Sequence, residues 1–145
     1  MSAAGRRLTP PIRRVLETSL YCDDLERAVA FYRDVMGLEP MGEPPRLVPM
    51  DAGDGTVLLL FQRGATLDGA KTPAGEIPPH DGHGPIHVAF AVDAGALEAW
   101  ERHLAAHGVE IESRMKWSRG GTSLYFRDPD GHSLEIATPG LWKTY

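Results

Sequence analysis

The chain has 145 residues, 42% hydrophobic and 24% charged, with 15 basic against 20 acidic side chains for a formal charge of −5. That is chain enough for one domain with a core, or for two small modules sharing one. The acidic balance argues against sequence-independent nucleic-acid binding, no apolar stretch approaches a membrane span, and the single Cys22 excludes an intrachain disulfide, so the expected setting is the cytoplasm.

The opening "MSAAGRRLTPPIRR" carries basic residues with no apolar segment behind them. Residues 1–12 are therefore expected to form a flexible tail rather than a signal peptide, and residues 13–145 a single domain. "RVLETSLY" alternates like a half-buried strand. Asp23 and Asp24 are good helix caps, and Leu25, Ala28, Val29, Tyr32, Val35 and Met36 form the apolar stripe of the helix that follows, with Gly37 at its stop. "RLVPMDAG" and "GTVLLLFQR" are two strands across a turn. Residues 62–85 are rich in Gly and Pro with little periodicity and predict a long loop, in which His80 and His83 are expected to be solvated. "GPIHVAFAV" predicts a strand, "AGALEAWERHLAAHG" a helix, and "VEIESRM", "TSLYFRD" and "HSLEIAT" three more strands, the last two joined by the tight turn "RDPDGH". His132, just after that turn, is expected to be exposed, Cys22 to pack, and Trp142 to anchor a module or subunit boundary.

The second half repeats the first. Glu17 to His87 is a shift of 70, Leu25 to Leu97 one of 72, Gly37 to Gly108 one of 71, and Gly55 to Gly131 one of 76. The fold class is therefore α+β: two βαβββ modules, the first about 13–63 and the second about 85–140, joined by a linker loop at 64–84. Neither closes a core alone, so they are expected to pack as a pseudo-symmetric pair.

Side chains alternate between the faces of a strand. Val15, Glu17, Ser19 and Tyr21 share one face; so do His87, Ala89 and Ala91, and so do Ser133, Glu135 and Ala137. In each case the larger apolar residues take the opposite face. Glu17, His87 and Glu135 would supply two carboxylates and one imidazole, a set suited to Mn, Fe(II), Co, Ni, Zn or Mg, with positions left open for water or substrate. "SRMKWSRGG" gathers Arg114, Lys116 and Arg119 around Trp117. Trp117 and Arg119 are substrate-binding candidates for an anionic group; a charged edge strand guarded against aggregation explains the same residues.

"LETSLYCDDLERAVAFYRDVMGLE", "GPIHVAFAV" and "SLYFRDPDGHSLEIATPG" resemble the glyoxalase, fosfomycin- and bleomycin-resistance and extradiol dioxygenase superfamily, the vicinal oxygen chelate fold. The resemblance spans roughly residues 13–142. It implies paired modules forming a half-barrel sheet with the helices outside, a divalent metal on Glu17, His87 and Glu135, a homodimer, and a small-molecule substrate with adjacent oxygens whose enolate or oxyanion the metal stabilises. It also implies a catalytic role for Glu17 as general base, and places Ser123 and Tyr125, similar to the Ser-x-Tyr of fosfomycin enzymes, at the substrate, with Tyr125 also catalytic. Leu59 stands where classical glyoxalases carry a fourth ligand, fosfomycin enzymes usually have histidine at the position of Glu17, and extradiol dioxygenases use two histidines. The alternative implied by the same resemblance is a metal-free, drug- or metabolite-sequestering protein of the bleomycin-resistance type.

Overall fold

The structure, a computed structural model, describes residues 9–145. The expected tail at 1–12 falls for the most part on residues 1–8, outside the described residues.

The first strand, β1 (Glu17–Cys22), leads into helix α1 (Leu25–Asp34). The Asp24 side chain caps α1 by accepting from the Arg27 amide at 3.2 Å. Beyond the helix, Gly37 takes φ +73°, the left-handed conformation that lets the chain leave it. Leu25, Ala28, Tyr32, Val35 and Met36 are buried, as the stripe predicts. Three strands follow: β2 (Glu39–Pro40), too short for any sequence period to announce, then β3 (Leu47–Asp51) and β4 (Val57–Gln62). The second module repeats the plan with β7 (His87–Ala91), α2 (Leu97–Ala106) after a 3-10 turn, β8 (Ser113–Lys116), β9 (Thr122–Arg127) and β10 (Ser133–Ala137). Gly108 repeats Gly37, at φ +68°.

Each module forms a four-stranded mixed sheet of the same topology, β1-β4-β3-β2 and β7-β10-β9-β8, in which the first strand lies parallel to the last. The α+β class and the modular repeat are as expected. Within one chain the two sheets remain separate and neither closes a barrel. They share one core instead: Leu20, Cys22, Tyr32, Leu58 and Leu60 of the first module cluster with Leu104, Phe126, Leu134 and Ile136 of the second.

The segment expected to be a long loop is more ordered than its composition suggests. It contains a hairpin, β5 (Ala70–Thr72) paired with β6 (Gly75–Ile77). Three-residue strands carry too few positions for an alternation to register, so the pattern was invisible. Both ends of the segment are pinned. The Thr66 hydroxyl donates to the His80 carbonyl, the His80 amide to Thr66 O at 3.1 Å, and the Gly64 amide to Asp81 Oδ1 at 3.1 Å.

Candidate metal and substrate site

The parity of the strands decides which faces the modules turn toward each other. A cavity of about 540 Å³ at their junction is lined by Thr18, Leu58, Val88 and Phe90, the residues that alternate with the ligand candidates. Glu17 and His87 thus lie on the other faces, which the intrachain junction does not use.

On the second module's face two of the three ligand candidates come together. β10 lies parallel to β7, with Ser133 opposite His87 and Glu135 opposite Ala89. His87 Nδ1 lies 2.8 Å from the Ser133 carbonyl, so that nitrogen must be the donor. His87 Nε2 then faces Glu135 Oε1 at 3.2 Å. A neutral imidazole in this tautomer opposes its lone pair to a carboxylate lone pair. Attraction across that gap requires a cation between or upon the two groups, either a proton on Nε2 or a metal ion. The backbone bond that fixes Nδ1 is also the outer contact that orients metal-binding histidines, so the donors present here fit a divalent ion.

Glu135 is buried, at 4% exposure, and its second oxygen is held by a relay. Trp117 Nε1 donates to Ser123 Oγ at 2.8 Å, and the fully buried Ser123 hydroxyl donates to Glu135 Oε2. Both were expected to meet substrate; instead the Ser123 hydroxyl proton is engaged with the carboxylate and the Trp117 indole N–H with the Ser123 oxygen. Tyr125, across the β9–β10 pair from Glu135, stacks on the His87 ring with centroids 6.3 Å apart. Burial first, and the negative charge of Glu135 second, push its phenol above the usual range, so it stays protonated at neutral pH. Arg119 is exposed in the turn between β8 and β9.

Glu17 is not part of this group within one chain. It is exposed, and with Ser19, Tyr21, Leu59 and Phe61 it lines a cavity of about 550 Å³ on the first module's outward face. The expected convergence of three ligands is therefore not met inside a single chain; His87 and Glu135 converge, and Glu17 stands apart.

Two features escaped the sequence reading. His80 is half-buried rather than solvated: its Nδ1 lies 2.7 Å from the Tyr21 hydroxyl, and its ring packs edge-on to Phe61 at 4.7 Å. His132, expected to be exposed, is fully buried. Its Nδ1 donates to Asp128 Oδ2 at 2.7 Å, and the same carboxylate accepts from the Tyr32 hydroxyl at 2.7 Å and from the Asp130 and His132 amides at 2.9 Å. Asp128, Asp130 and His132 are the one group of three metal-type side chains within 4.8 Å of one another among the described residues. Four hydrogen bonds already engage the Asp128 oxygens, so the group reads as a knot between α1 and the β9–β10 turn. The sequence spacing of neither histidine signals this; what could have was the run Asp-x-Asp-Gly-His, whose short acidic side chains favour bonds to their own turn. Trp142 is 68% exposed in the single chain, and Cys22 is fully buried in the core.

Among the described residues no helix is long and apolar enough to cross a membrane. The family described as the Glyoxalase/Bleomycin resistance protein/Dioxygenase superfamily matches residues 14–136. The chain is 36% identical to lactoylglutathione lyase from Agrobacterium tumefaciens, whose crystal structure superposes with a TM-score of 0.83 over 92% of this chain and 99% of that one. It is 27% identical over 131 residues to the metallothiol transferase FosB of Staphylococcus saprophyticus, covering 90% of this chain and 80% of the relative. With the glutathione transferase FosA of Serratia marcescens it shares 29% identity over 123 residues, or 85% and 79% of the two chains. On the strength of that match across most of its length, the chain belongs to the glyoxalase, bleomycin-resistance and dioxygenase superfamily.

Proposed function

We propose that the chain is a divalent-metal-dependent enzyme acting on a small molecule with adjacent oxygens, and that its site is completed between two copies, with His87 and Glu135 from one and Glu17 from the other. The observation that carries this reading is the His87–Glu135 pair, in which the Ser133 carbonyl commits Nδ1 as donor and leaves Nε2 facing a buried carboxylate at 3.2 Å. One imidazole and two carboxylates suit Mn, Fe(II), Co, Ni, Zn or Mg. When bound, such an ion polarises the substrate oxygens and stabilises developing negative charge.

Support for a second copy comes from the faces and edges. Glu17 and His87 begin the equivalent strands β1 and β7, each at the free edge of its sheet. Beside Glu17, Val15 and Leu16 are 71% and 58% exposed, apolar surface that a homodimer would cover. A two-fold arrangement of module one on module two would generate two equivalent sites.

The chain's own groups then have separate tasks. Ser133 O fixes the histidine tautomer, and Ser123 with Trp117 fixes Glu135. The protonated Tyr125 donates to an oxygen of the substrate that gains negative charge. The Glu17 carboxylate has no hydrogen bond or ion pair among the described residues, so it is free to accept a proton as general base. Arg119 remains available to an anionic substrate group. The named relatives handle thiol or glutathione chemistry, which makes thiol adducts the first substrates to try.

The test is metal content by elemental analysis, with turnover, on separately purified Glu17→Ala and Glu135→Ala chains and on the two refolded together. Each variant alone is expected to lose the ion. In a mixed dimer one site carries both defects and the other none, so metal and activity return to up to half the sites. Full metal retention in Glu17→Ala would remove Glu17 from the site. Native protein that contains no ion and binds ligands tightly would turn the reading to sequestration.

A further inference from the structure

The cavity on the first module's outward face contains chemistry that the metal reading leaves unused. β1 and β4 place Ser19, Tyr21, Leu59 and Phe61 beside Glu17, and the pinned end of the 64–82 segment supplies the opposite wall, Ile77 to His80. That wall is fixed. The Tyr21 hydroxyl bonds His80 Nδ1 at 2.7 Å, and a side chain added at Gly82 would lie 2.7 Å from the Tyr21 ring, so only glycine allows the segment to sit this close. The walls are apolar and aromatic, from Leu59, Phe61, Ile77, Pro78 and Pro79.

One strongly charged group other than Glu17 enters this cavity: the half-buried Arg46, just before β3. Its guanidinium carbon lies 6.0 Å from the centroid of the Phe61 ring, a cation–π position that holds it toward the cavity. Arg63, Arg114 and Arg127 each lie within 4.0 Å of a carboxylate; among the described residues none lies within that distance of Arg46, and no hydrogen bond engages its guanidinium. A planar fork of donors held beside an apolar wall without a counter-ion is built to receive an oxyanion.

We infer that this cavity is the recognition half of the substrate site, and that the substrate carries an anionic group (carboxylate, phosphonate or phosphate) on an apolar or aromatic body. The anion binds Arg46 and the body lies along Phe61 and Ile77. The reacting oxygens are then directed to the Glu17 end, away from the repulsion that Glu17 would exert on the anion. This rests on the proposed function only in calling the ligand a substrate; the binding itself requires no metal.

The probes are phenylphosphonate and benzoate, with benzyl alcohol as the neutral control, titrated into 15N-labelled protein as purified and again after chelator treatment. Both anions are expected to move the Arg46 Nε–H signal and the Phe61 and Ile77 amides, and the alcohol to bind at least tenfold more weakly. Arg46→Met, which keeps the aliphatic stem, is expected to weaken the anions about tenfold or more while leaving the alcohol unchanged. Arg46→Lys, which keeps the charge and loses the fork, should fall between the two. The unperturbed part of the spectrum shows that each variant is folded. Equal affinity for anion and alcohol, equal anion affinity in Arg46→Met, or shifts confined to another surface would overturn the inference. Anion binding that survives chelation while the mixed-dimer experiment fails would sink the metal site alone and leave Arg46 in place.

Discussion

Superposing the two modules by their register shows one scaffold put to opposite uses. Glu17 corresponds to His87, Val57 to Ser133, Ser19 to Ala89, Leu59 to Glu135, Tyr21 to Ala91 and Phe61 to Ala137. The second module's face is small and polar, and each of its two metal-type side chains is held by a partner: His87 by Ser133 O, Glu135 by Ser123. On the first module's face the residues are large and apolar, the carboxylate is unbonded, and the 64–82 segment forms a wall that the second module lacks. A face that holds charge in place needs short side chains and buried donors. A face that selects a ligand needs shape and one or two unpaired polar groups. On the proposed reading, the duplication has divided these tasks between its halves.

The largest expected effect comes from copying one half into the other at the position where they differ most in charge. Glu135→Leu gives the second module the residue that the first has at Leu59. It removes a proposed ligand and leaves His87 Nε2 facing an apolar group, so bound metal and turnover should fall by roughly 100-fold or more, since even outer-shell losses cost 10–100-fold. Metal titration followed by turnover checks this; unchanged metal affinity would break the assignment of chemistry to the second module. Next in size is Ser123→Ala. Glu135 stays, but its buried Oε2 loses its donor, and Trp117 Nε1 loses its acceptor. Metal affinity is expected to fall about 10–100-fold, and stability by about 1–3 kcal/mol through the unsatisfied carboxylate oxygen. If Ser123 instead met substrate alone, KM would rise with metal affinity unmoved.

The faces that carry the candidate residues were legible in the sequence; the division between them was not, for a physical reason. Strand parity identified the Glu17, His87 and Glu135 faces, because a two-residue period survives whatever the tertiary context. Parity says nothing about which side of a sheet meets which neighbour, so it joined three ligands in one chain where the fold turns Glu17 away from the other two. Ser123 lies on the same face as Glu135, as its parity indicates, but a hydroxyl's partner is set by a 12-residue reach to Glu135 that no local pattern encodes. Arg46 precedes a strand and follows two prolines, and nothing in "PPRLVP" distinguishes it from a solvated loop residue. Its value appears only once Phe61 and the 64–82 wall are in place. His132 was misjudged because a polar residue after a tight turn is ordinarily exposed, and here Asp128 draws it inward.

The same pairing of halves predicts the smallest effect, at the junction. Tyr32 of α1 donates to Asp128 of the β9–β10 turn at 2.7 Å, tying module one to module two. By the repeat shifts of 72 and 76, the counterparts are Leu104 of α2 and Ala52 of the β3–β4 turn, both apolar and both at the shared core. One half of the junction is polar and the other is not. Tyr32→Phe removes a single buried hydrogen bond and should cost about 1 kcal/mol in urea unfolding. Asp128→Ala should cost more, because His132 and two backbone amides lose their acceptor as well. If the two sides are interchangeable solutions, Tyr32→Leu combined with Asp128→Ala should be less destabilising than the sum of the single changes. Acid provides the independent check. Burial alone would raise the Asp128 carboxyl, but the hydrogen bonds from His132 and Tyr32 prevail and hold it below the ordinary range. A carboxyl depressed by folding contributes stability that is fully present above its unfolded value, about 3.9, and is lost as the pH falls through the lower folded value. The unfolding midpoint of the wild type should therefore decline below about pH 4, and less steeply in Asp128→Asn. Parallel acid profiles would mean that the knot carries no charge-dependent stability and that the polar side of the junction is no different in kind from its apolar counterpart.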